Sequence, residues 1–221
     1  MMRLALVLAS AVAFTPAPRF SQRTVSMMAS EKSQAIPFLP KPAGCDGSLP
    51  GDVGFDPLGL SSIDPKSLPQ IIPPAATMAP AAPLPTMYWM REAELKHGRL
   101  CMLALVGFAS VDIGFTFPGA EYQGVTSVAA HDINVANGNM GFLLTAIAII
   151  EIISSVGISQ AANGGDRAPG DFAVDPLNFC SNEENTMKYK TMEITHCRLA
   201  MFAFSGMVTQ AVAVNDHFPY M

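Results

Sequence analysis

The chain has 221 residues, of which half are apolar and only 14% are charged, whereas ordinary soluble domains carry about 25% charged residues. This composition, with a mean hydropathy of +0.30, argues against a disordered chain and against a charge-rich soluble enzyme. The net charge of −5 offers no basic surface to nucleic acid. Residues 1–30 nevertheless hold three Arg and no acid, so a basic leader precedes an acidic remainder.

The leader has the composition of a targeting segment. Arg3 precedes an apolar run over residues 4–13 that is too short to span a membrane, which predicts a signal peptide over residues 1–13. The acid-free, Arg- and Ser-rich residues 14–29 predict a plastid transit peptide. A signal peptide followed by a transit peptide that starts at Phe14 resembles the bipartite leader of complex plastids in red-lineage algae. Simple secretion is the alternative.

Three apolar segments, residues 87–111, 140–159 and 188–214, predict an all-α membrane protein with three transmembrane helices. At 1.5 Å per residue, each segment can cross a hydrocarbon core of about 30 Å. Residues 30–86 are expected to form a stromal segment, whose Pro-rich stretch over residues 65–85 runs extended over the stromal surface, ahead of a membrane domain over residues 87–221. Basic residues flank the first helix and the third on one side, so the positive-inside rule predicts a stromal N-terminus and a lumenal C-terminus.

The chain contains an internal repeat. The stretch GDVGFDPLGL at 51–60 recurs as GDFAVDPLNF at 170–179, and ELKHGRL at 94–100 recurs as EITHCRL at 193–199. Both copies lead into an apolar helix. Two such units in the same membrane direction predict that the first and third helices cross and are related by a pseudo-two-fold axis along the membrane normal.

Each copy carries a Glu, a His and an Arg on an apolar helix, where such residues are costly and mark function by default. The Arg lies about 140° around the helix from the Glu, so the two pair poorly within one helix. If the helices cross face to face, structural ion pairs can form between Arg99 and Glu193 and between Arg198 and Glu94. Each carboxylate then keeps a free oxygen, and each imidazole a free nitrogen, as axial ligands for chlorophyll magnesium. Ion pairs without a ligand role, or a proton or ion pathway, are the alternatives.

These two copies, each preceded by an Asp-Pro-Leu loop, resemble the light-harvesting chlorophyll-binding protein superfamily over about residues 51–218, and in particular its fucoxanthin chlorophyll a/c-type branch. The resemblance implies a thylakoid antenna protein, and no enzyme, that binds chlorophyll a, chlorophyll c and a carotenoid such as fucoxanthin. The implied partners are a photosystem core, with photosystem I favoured over photosystem II, other antenna subunits and thylakoid lipids, but no nucleic acid. A photoprotective, energy-quenching member of the superfamily and a membrane scaffold without pigment are the alternatives.

The resemblance also assigns site residues. The implied ligands of chlorophyll magnesium are Glu94, His97, Glu151, Glu193, His196 and Gln210. His217, near the C-terminus, is a further candidate for pigment binding. The loop residues implied to anchor a carotenoid end group are Asp56, Pro57, Asp175 and Pro176.

Glu151 is the candidate ligand whose charge is hardest to explain from the sequence. No basic residue lies within one helical turn of it on either side, and Ser154 stands where green members of the superfamily place an Arg. An ionised carboxylate at that depth costs a few kcal/mol, so Glu151 is expected to bind magnesium, a proton or a cation from another part of the chain. Magnesium is favoured, because the position matches a ligand of the superfamily.

Overall fold

The computed structural model describes residues 32–63, 84–177, 179–214 and 218. Its four α-helices are α1 (Thr86–Ile113), α2 (Ser127–Ala136), α3 (Asn139–Ala162) and α4 (Glu183–Val214), and short 3-10 turns lie before α1 and between α1 and α2. In this part of the chain the only β-type pairing is one isolated bridge between Lys32 and Pro40. The predicted all-helical class is therefore confirmed for it. The predicted leader, most of the Pro-rich stretch and His217 lie outside the described residues.

The three segments predicted to be helical all lie in helices, and two of these helices, α3 and α4, are long and apolar enough to cross a membrane. The first helix, α1, has 28 residues and is about 42 Å long, but five charged residues fall between positions 91 and 99. A membrane crossing by α1 therefore depends on what neutralises these charges.

The short helix α2 was not predicted, and its start is defined by two polar groups. The Thr126 hydroxyl accepts the N–H of Ala129 as an N-cap, and the buried Asp112 carboxylate at the end of α1 accepts the N–H of Ser127 at 2.8 Å. N-terminal N–H groups need such acceptors. The Asp112 carboxylate reaches Ser127 only through the tertiary structure, so the local sequence pattern indicates the start of α2 only weakly.

The helices α1 and α4 cross where Gly98 faces Cys197. Cys197 is fully buried, and it forms the core of the described residues together with Leu95 and Ile194, against which Met102 packs. A Cβ atom added at Gly98 would overlap the Cys197 side chain. Small residues let two helix backbones approach closely in this way.

We expect Gly98→Ala to destabilise this crossing, because overpacking a tight contact typically costs about 1–3 kcal/mol. Gly107→Ala in the same helix is the matched control, since nothing lies within 4 Å of a Cβ at that position. Far-UV circular dichroism of the purified protein in detergent should show a lower Tm for Gly98→Ala and an unchanged or higher Tm for Gly107→Ala. Equal melting temperatures for the two variants would contradict the close crossing.

The two Gly-Asp loops pack on the crossing in matching ways. Gly51 and Gly170 have positive φ angles of 69° and 73°, which glycine adopts without strain. A Cβ on Gly51 would collide with Ile194 of α4, and a Cβ on Gly170 would collide with Leu95 of α1. The loop of each repeat thus packs on the helix of the other repeat, as a pseudo-two-fold arrangement requires.

Candidate pigment-binding site

Two reciprocal ion pairs join α1 to α4 at the crossing. Nε of Arg99 lies 2.7 Å from Oε1 of Glu193, and Nε of Arg198 lies 2.7 Å from Oε1 of Glu94. These are the pairings that the helical spacing predicts. Together the two pairs carry no net charge, which lowers the cost of placing four charged side chains in an apolar environment.

Each of these arginines also holds a loop. Nη1 of Arg99 donates to the carbonyl of Gly170 at 2.8 Å, and Nη1 of Arg198 donates to the carbonyl of Gly51 at 2.8 Å. Each of these two arginines therefore binds both the helix and the loop of the other repeat. Charged hydrogen bonds of this kind are stronger than neutral ones, so the two arginines connect the repeats more firmly than the Glu–Arg pairs alone would.

The two histidines are held in the same tautomer. Nδ1 of His97 lies 2.8 Å from the carbonyl oxygen of Ala93, and Nδ1 of His196 lies 2.7 Å from the carbonyl oxygen of Met192. Because a carbonyl oxygen only accepts, Nδ1 carries a proton, and in the neutral imidazole Nε2 is then the nitrogen with the lone pair. Both side chains are exposed, so each presents a neutral imidazole nitrogen that can bind a metal.

The two carboxylates of the repeat differ in how free they are. Oε2 of Glu94 lies 3.0 Å from Nη1 of the buried Arg91, in an ionic contact without hydrogen-bond geometry. Oε2 of Glu193 has no recorded partner among the described residues. Glu193 therefore keeps the free oxygen that the sequence predicts. In Glu94 both oxygens contact an arginine, so a bound metal would have to share Oε2 with Arg91, and this oxygen still has lone pairs available.

Glu151 on α3 has a cation partner from another helix. Nζ of Lys96 on α1 lies 2.6 Å from Oε2 of Glu151 and 2.8 Å from Oγ of Ser154. Of the three expected ways to balance this carboxylate, the structure shows a cation from elsewhere in the chain. Magnesium is therefore not needed to balance its charge. Whether Glu151 is a ligand remains a prediction from the resemblance.

The two Asp-Pro-Leu loops are shaped by their aspartates. The carboxylate of Asp56 accepts the N–H groups of Leu60 and Ser61, and that of Asp175 accepts those of Phe179 and Cys180. The hydrogen bonds from Ser61 lower the pKa of Asp56, so it stays ionised. The prolines that follow, 57 and 176, stiffen the turns.

One further ion pair was not predicted from the sequence. Arg167, in the loop between α3 and α4, binds Glu92 of α1 through both Nη atoms at 3.1 Å and the hydroxyl of Tyr88 at 2.7 Å. Glu92 is only 2% exposed, and it also accepts the N–H of Gly170. Burial by itself would lower the pKa of Arg167, but the bonds to Glu92 and Tyr88 raise it, so the guanidinium remains charged.

The repeat could not reveal this pair, because it is absent from the other copy. The positions that correspond to Glu92 and Arg167 are Thr191 and Ser48. Phe172 completes the contact, with its ring centre 4.8 Å from the Arg167 guanidinium. The second loop is therefore attached more firmly than the first.

A cavity of about 1050 Å³ lies beneath this second loop. It is bordered by α1, by the loop over residues 168–175 and by α4, with Arg99, Phe172 and Asp175 among its lining residues. Its size is at the upper end of ordinary small-molecule sites. The predicted carotenoid-binding loop thus adjoins a space that can hold a large organic group.

The remaining candidate ligand lies far from the crossing. Gln210 is an exposed residue of α4, seventeen positions after Glu193 and therefore about 25 Å further along the helix axis. The structure does not bring it near the ion pairs, and it is an isolated donor near the C-terminal end of α4.

Comparison with known proteins identifies this arrangement. The family model described as "Chlorophyll A-B binding protein" matches residues 41–212, which contain both loops, both ion pairs and both histidines. The chain belongs to the chlorophyll a-b binding protein family. This membership confirms the resemblance seen in the sequence, and it establishes a chlorophyll-binding, light-harvesting antenna protein and no enzyme.

Relatives from different algae and plants cover most of the chain. The chlorophyll a-b binding protein CP29 of Chlamydomonas reinhardtii is 28% identical over 94% of this chain and 88% of its own length. The fucoxanthin-chlorophyll a-c binding protein of Chattonella marina var. antiqua is 29% identical, with 93% and 84% covered. The photosystem I chlorophyll a/b-binding protein 5 of Arabidopsis thaliana is 28% identical, with 83% and 72% covered.

Proposed function

We propose that this antenna protein holds chlorophyll a, chlorophyll c and a fucoxanthin-type carotenoid in a plastid thylakoid membrane and passes excitation energy to a photosystem core. The observation that carries the proposal is the pair of matched units at the crossing, each with a compensated carboxylate and a neutral imidazole. Similarity to a fucoxanthin-chlorophyll a-c binding protein supports the choice of pigments. Similarity to a photosystem I antenna protein supports photosystem I as the partner.

The donors fit a metal that is already held by a macrocycle. The candidate ligands on each helix are single oxygen or nitrogen donors, and the two histidines are fixed with Nε2 available. Magnesium in a porphyrin-type ring would accept a hard oxygen or an imidazole nitrogen from the protein. When bound, chlorophyll supplies the light absorption. The chain supplies Glu94, His97, Glu151, Glu193, His196 and Gln210 as ligands that set pigment positions.

Three membrane spans are supported by the pairing of charges on α1. Each charged residue between positions 91 and 99 contacts an opposite charge: the pairs are Arg91–Glu94, Glu92–Arg167, Glu94–Arg198, Lys96–Glu151 and Arg99–Glu193. Paired charges are the form in which ionisable residues occur within membranes. We therefore assign α1, α3 and α4 as the spans, with the N-terminus in the stroma and the C-terminus in the lumen.

The carotenoids fit the loops that precede α1 and α4. Asp56 and Asp175 form the same capping turn in both copies, and the second loop borders the cavity described above. An end group with polar substituents could lie in the second site between Asp175 and Arg99, while its apolar chain follows the groove between the crossed helices.

Pigment reconstitution tests the proposal. Purified protein refolded with chlorophyll a, chlorophyll c and fucoxanthin should bind all three, and excitation of chlorophyll c should give chlorophyll a fluorescence. Refolding without any bound pigment would favour the pigment-free membrane scaffold instead. Binding without energy transfer would contradict the antenna role.

A photoprotective, energy-quenching role is the second candidate, and Asp112 is the observation that favours it. This buried carboxylate, on the expected lumenal end of α1, accepts the N–H of Ser127 at the start of α2. A neutral side chain at this position would be a weaker acceptor for that N–H than the carboxylate is. A chlorophyll fluorescence lifetime that shortens between pH 7 and pH 5, and that no longer does so in Asp112→Asn, would assign the quenching role. A constant lifetime would leave light harvesting as the function.

A further inference from the structure

Lys96 is the residue through which α1 contacts α3 by hydrogen bonds. Its Nζ donates to Oε2 of Glu151 and to Oγ of Ser154, and the Ser154 hydroxyl in turn contacts the backbone carbonyl and Oε2 of Glu151. In the described part of the chain, α3 packs mainly on α2, and its contacts with α1 and α4 are sparse. The three polar side chains therefore form a direct link between α3 and the crossed helix pair.

This contact lies outside the pseudo-two-fold repeat. The position that corresponds to Lys96 in the second copy is Thr195, whose hydroxyl donates to the carbonyl of Thr191 within α4. The ion pairs at the crossing need no Lys96, because each arginine already has its carboxylate. The lysine therefore serves α3, and its position beside His97 places it next to a candidate ligand on α1.

The lysine contacts one carboxylate oxygen of Glu151 and leaves the other oxygen available. Oε2 has Lys96 and Ser154 as partners, whereas Oε1 has no recorded partner among the described residues. The Glu151 side chain is 55% exposed and that of Lys96 is 26% exposed. A carboxylate held at one oxygen, with its charge balanced, is oriented so that the second oxygen can bind a metal.

We propose that Lys96 is a positioning residue for a chlorophyll on α3, because it balances and orients Glu151 so that Oε1 is presented to the magnesium. This inference rests on the proposed function, which supplies the pigment. The inference goes beyond the proposed function because it makes the site on α3 depend on a residue of α1. Loss of the lysine should therefore affect a pigment on another helix.

A cross-linking experiment tests the contact itself. A hydrophobic carbodiimide, which joins a lysine directly to a touching carboxylate, should cross-link the peptides that contain Lys96 and Glu151 in the detergent-solubilised pigment–protein complex. Mass spectrometry should find this cross-link in the wild type and not in Lys96→Met or Glu151→Gln. Its absence from the wild type would overturn the proposal.

Reconstitution with pigments tests the positioning role. We expect Lys96→Met and Lys96→Thr to bind one chlorophyll fewer per protein than the wild type, as Glu151→Leu should. The double variant Lys96→Met/Glu151→Gln should regain that chlorophyll, because a neutral amide keeps an oxygen ligand and needs no cation. Lys188→Met, at an exposed lysine in the first half of α4, is the control and should bind the full number.

The outcomes separate this inference from the proposed function. If Lys96→Met retains both the chlorophyll number and the absorption bands of the wild type, the positioning role is wrong while the antenna function stands. If the double variant fails to regain pigment, Lys96 acts through the fold and the inference is again wrong. If the wild type binds no chlorophyll, the proposed function and the inference fall together.

Discussion

Glu94→Ala should fail to refold with pigments, whereas His97→Ala should refold with one chlorophyll fewer. Removal of Glu94 leaves two arginines, Arg198 and the buried Arg91, without the carboxylate that each contacts. The Arg91 side chain is only 7% exposed, and leaving a buried charge without its partner costs about 3–5 kcal/mol, which is a large part of the stability of a domain. Removal of His97 deletes a neutral side chain whose recorded hydrogen bond goes to the carbonyl of Ala93.

Pigment-to-protein ratios after reconstitution measure this difference. Glu193→Ala should have an intermediate effect, because only one arginine, Arg99, loses its carboxylate. If Glu94→Ala refolds as readily as His97→Ala, the reciprocal ion pairs do not hold the crossing together.

Glu92→Ala should release the second loop from α1. Glu92 is almost fully buried and binds both Arg167 and the N–H of Gly170, so its loss leaves a half-buried guanidinium and a buried N–H group without their acceptor. A cost of about 3–5 kcal/mol is expected. Trypsin should then cleave after Arg167 much faster than in the wild type, and the Tm should fall.

Two variants make the test specific. Glu183→Ala removes an exposed carboxylate in the first turn of α4 and should leave both trypsin sensitivity and Tm nearly unchanged. The double variant Glu92→Leu/Arg167→Leu removes both charges and should regain part of the lost stability, because the isolated charge is the main cost. Unchanged cleavage in Glu92→Ala would show that the loop is held by other contacts.

Several features could be predicted because they depend on local periodicity or on repetition. The positions of α1, α3 and α4 follow from long apolar segments, since hydrophobic patterning is a local property of the chain. The pairing of Arg99 with Glu193 and of Arg198 with Glu94 follows from two copies of one motif. An arginine about 140° away from the glutamate of its own helix can reach only a carboxylate on another helix.

Other features could not be predicted, because they occur once and join distant segments. Glu151 looked isolated, since a search along its own helix cannot reveal a lysine 55 positions earlier in the chain. The bond between Arg167 and Glu92 spans 75 positions, and neither residue has a counterpart in the other copy of the repeat.

The sequence by itself determined the family, the helical class and the two-fold set of candidate ligands. The family and the ligands follow from a motif that occurs twice, and the helical class follows from long apolar segments. Only the tertiary structure decided which carboxylates keep a free oxygen. Lys96 of α1 occupies one oxygen of Glu151 on α3, whereas Glu193 of α4 pairs with Arg99 and keeps its second oxygen. The physical reason is that a charged side chain in an apolar environment takes the nearest opposite charge in space, and that partner is set by how the helices cross.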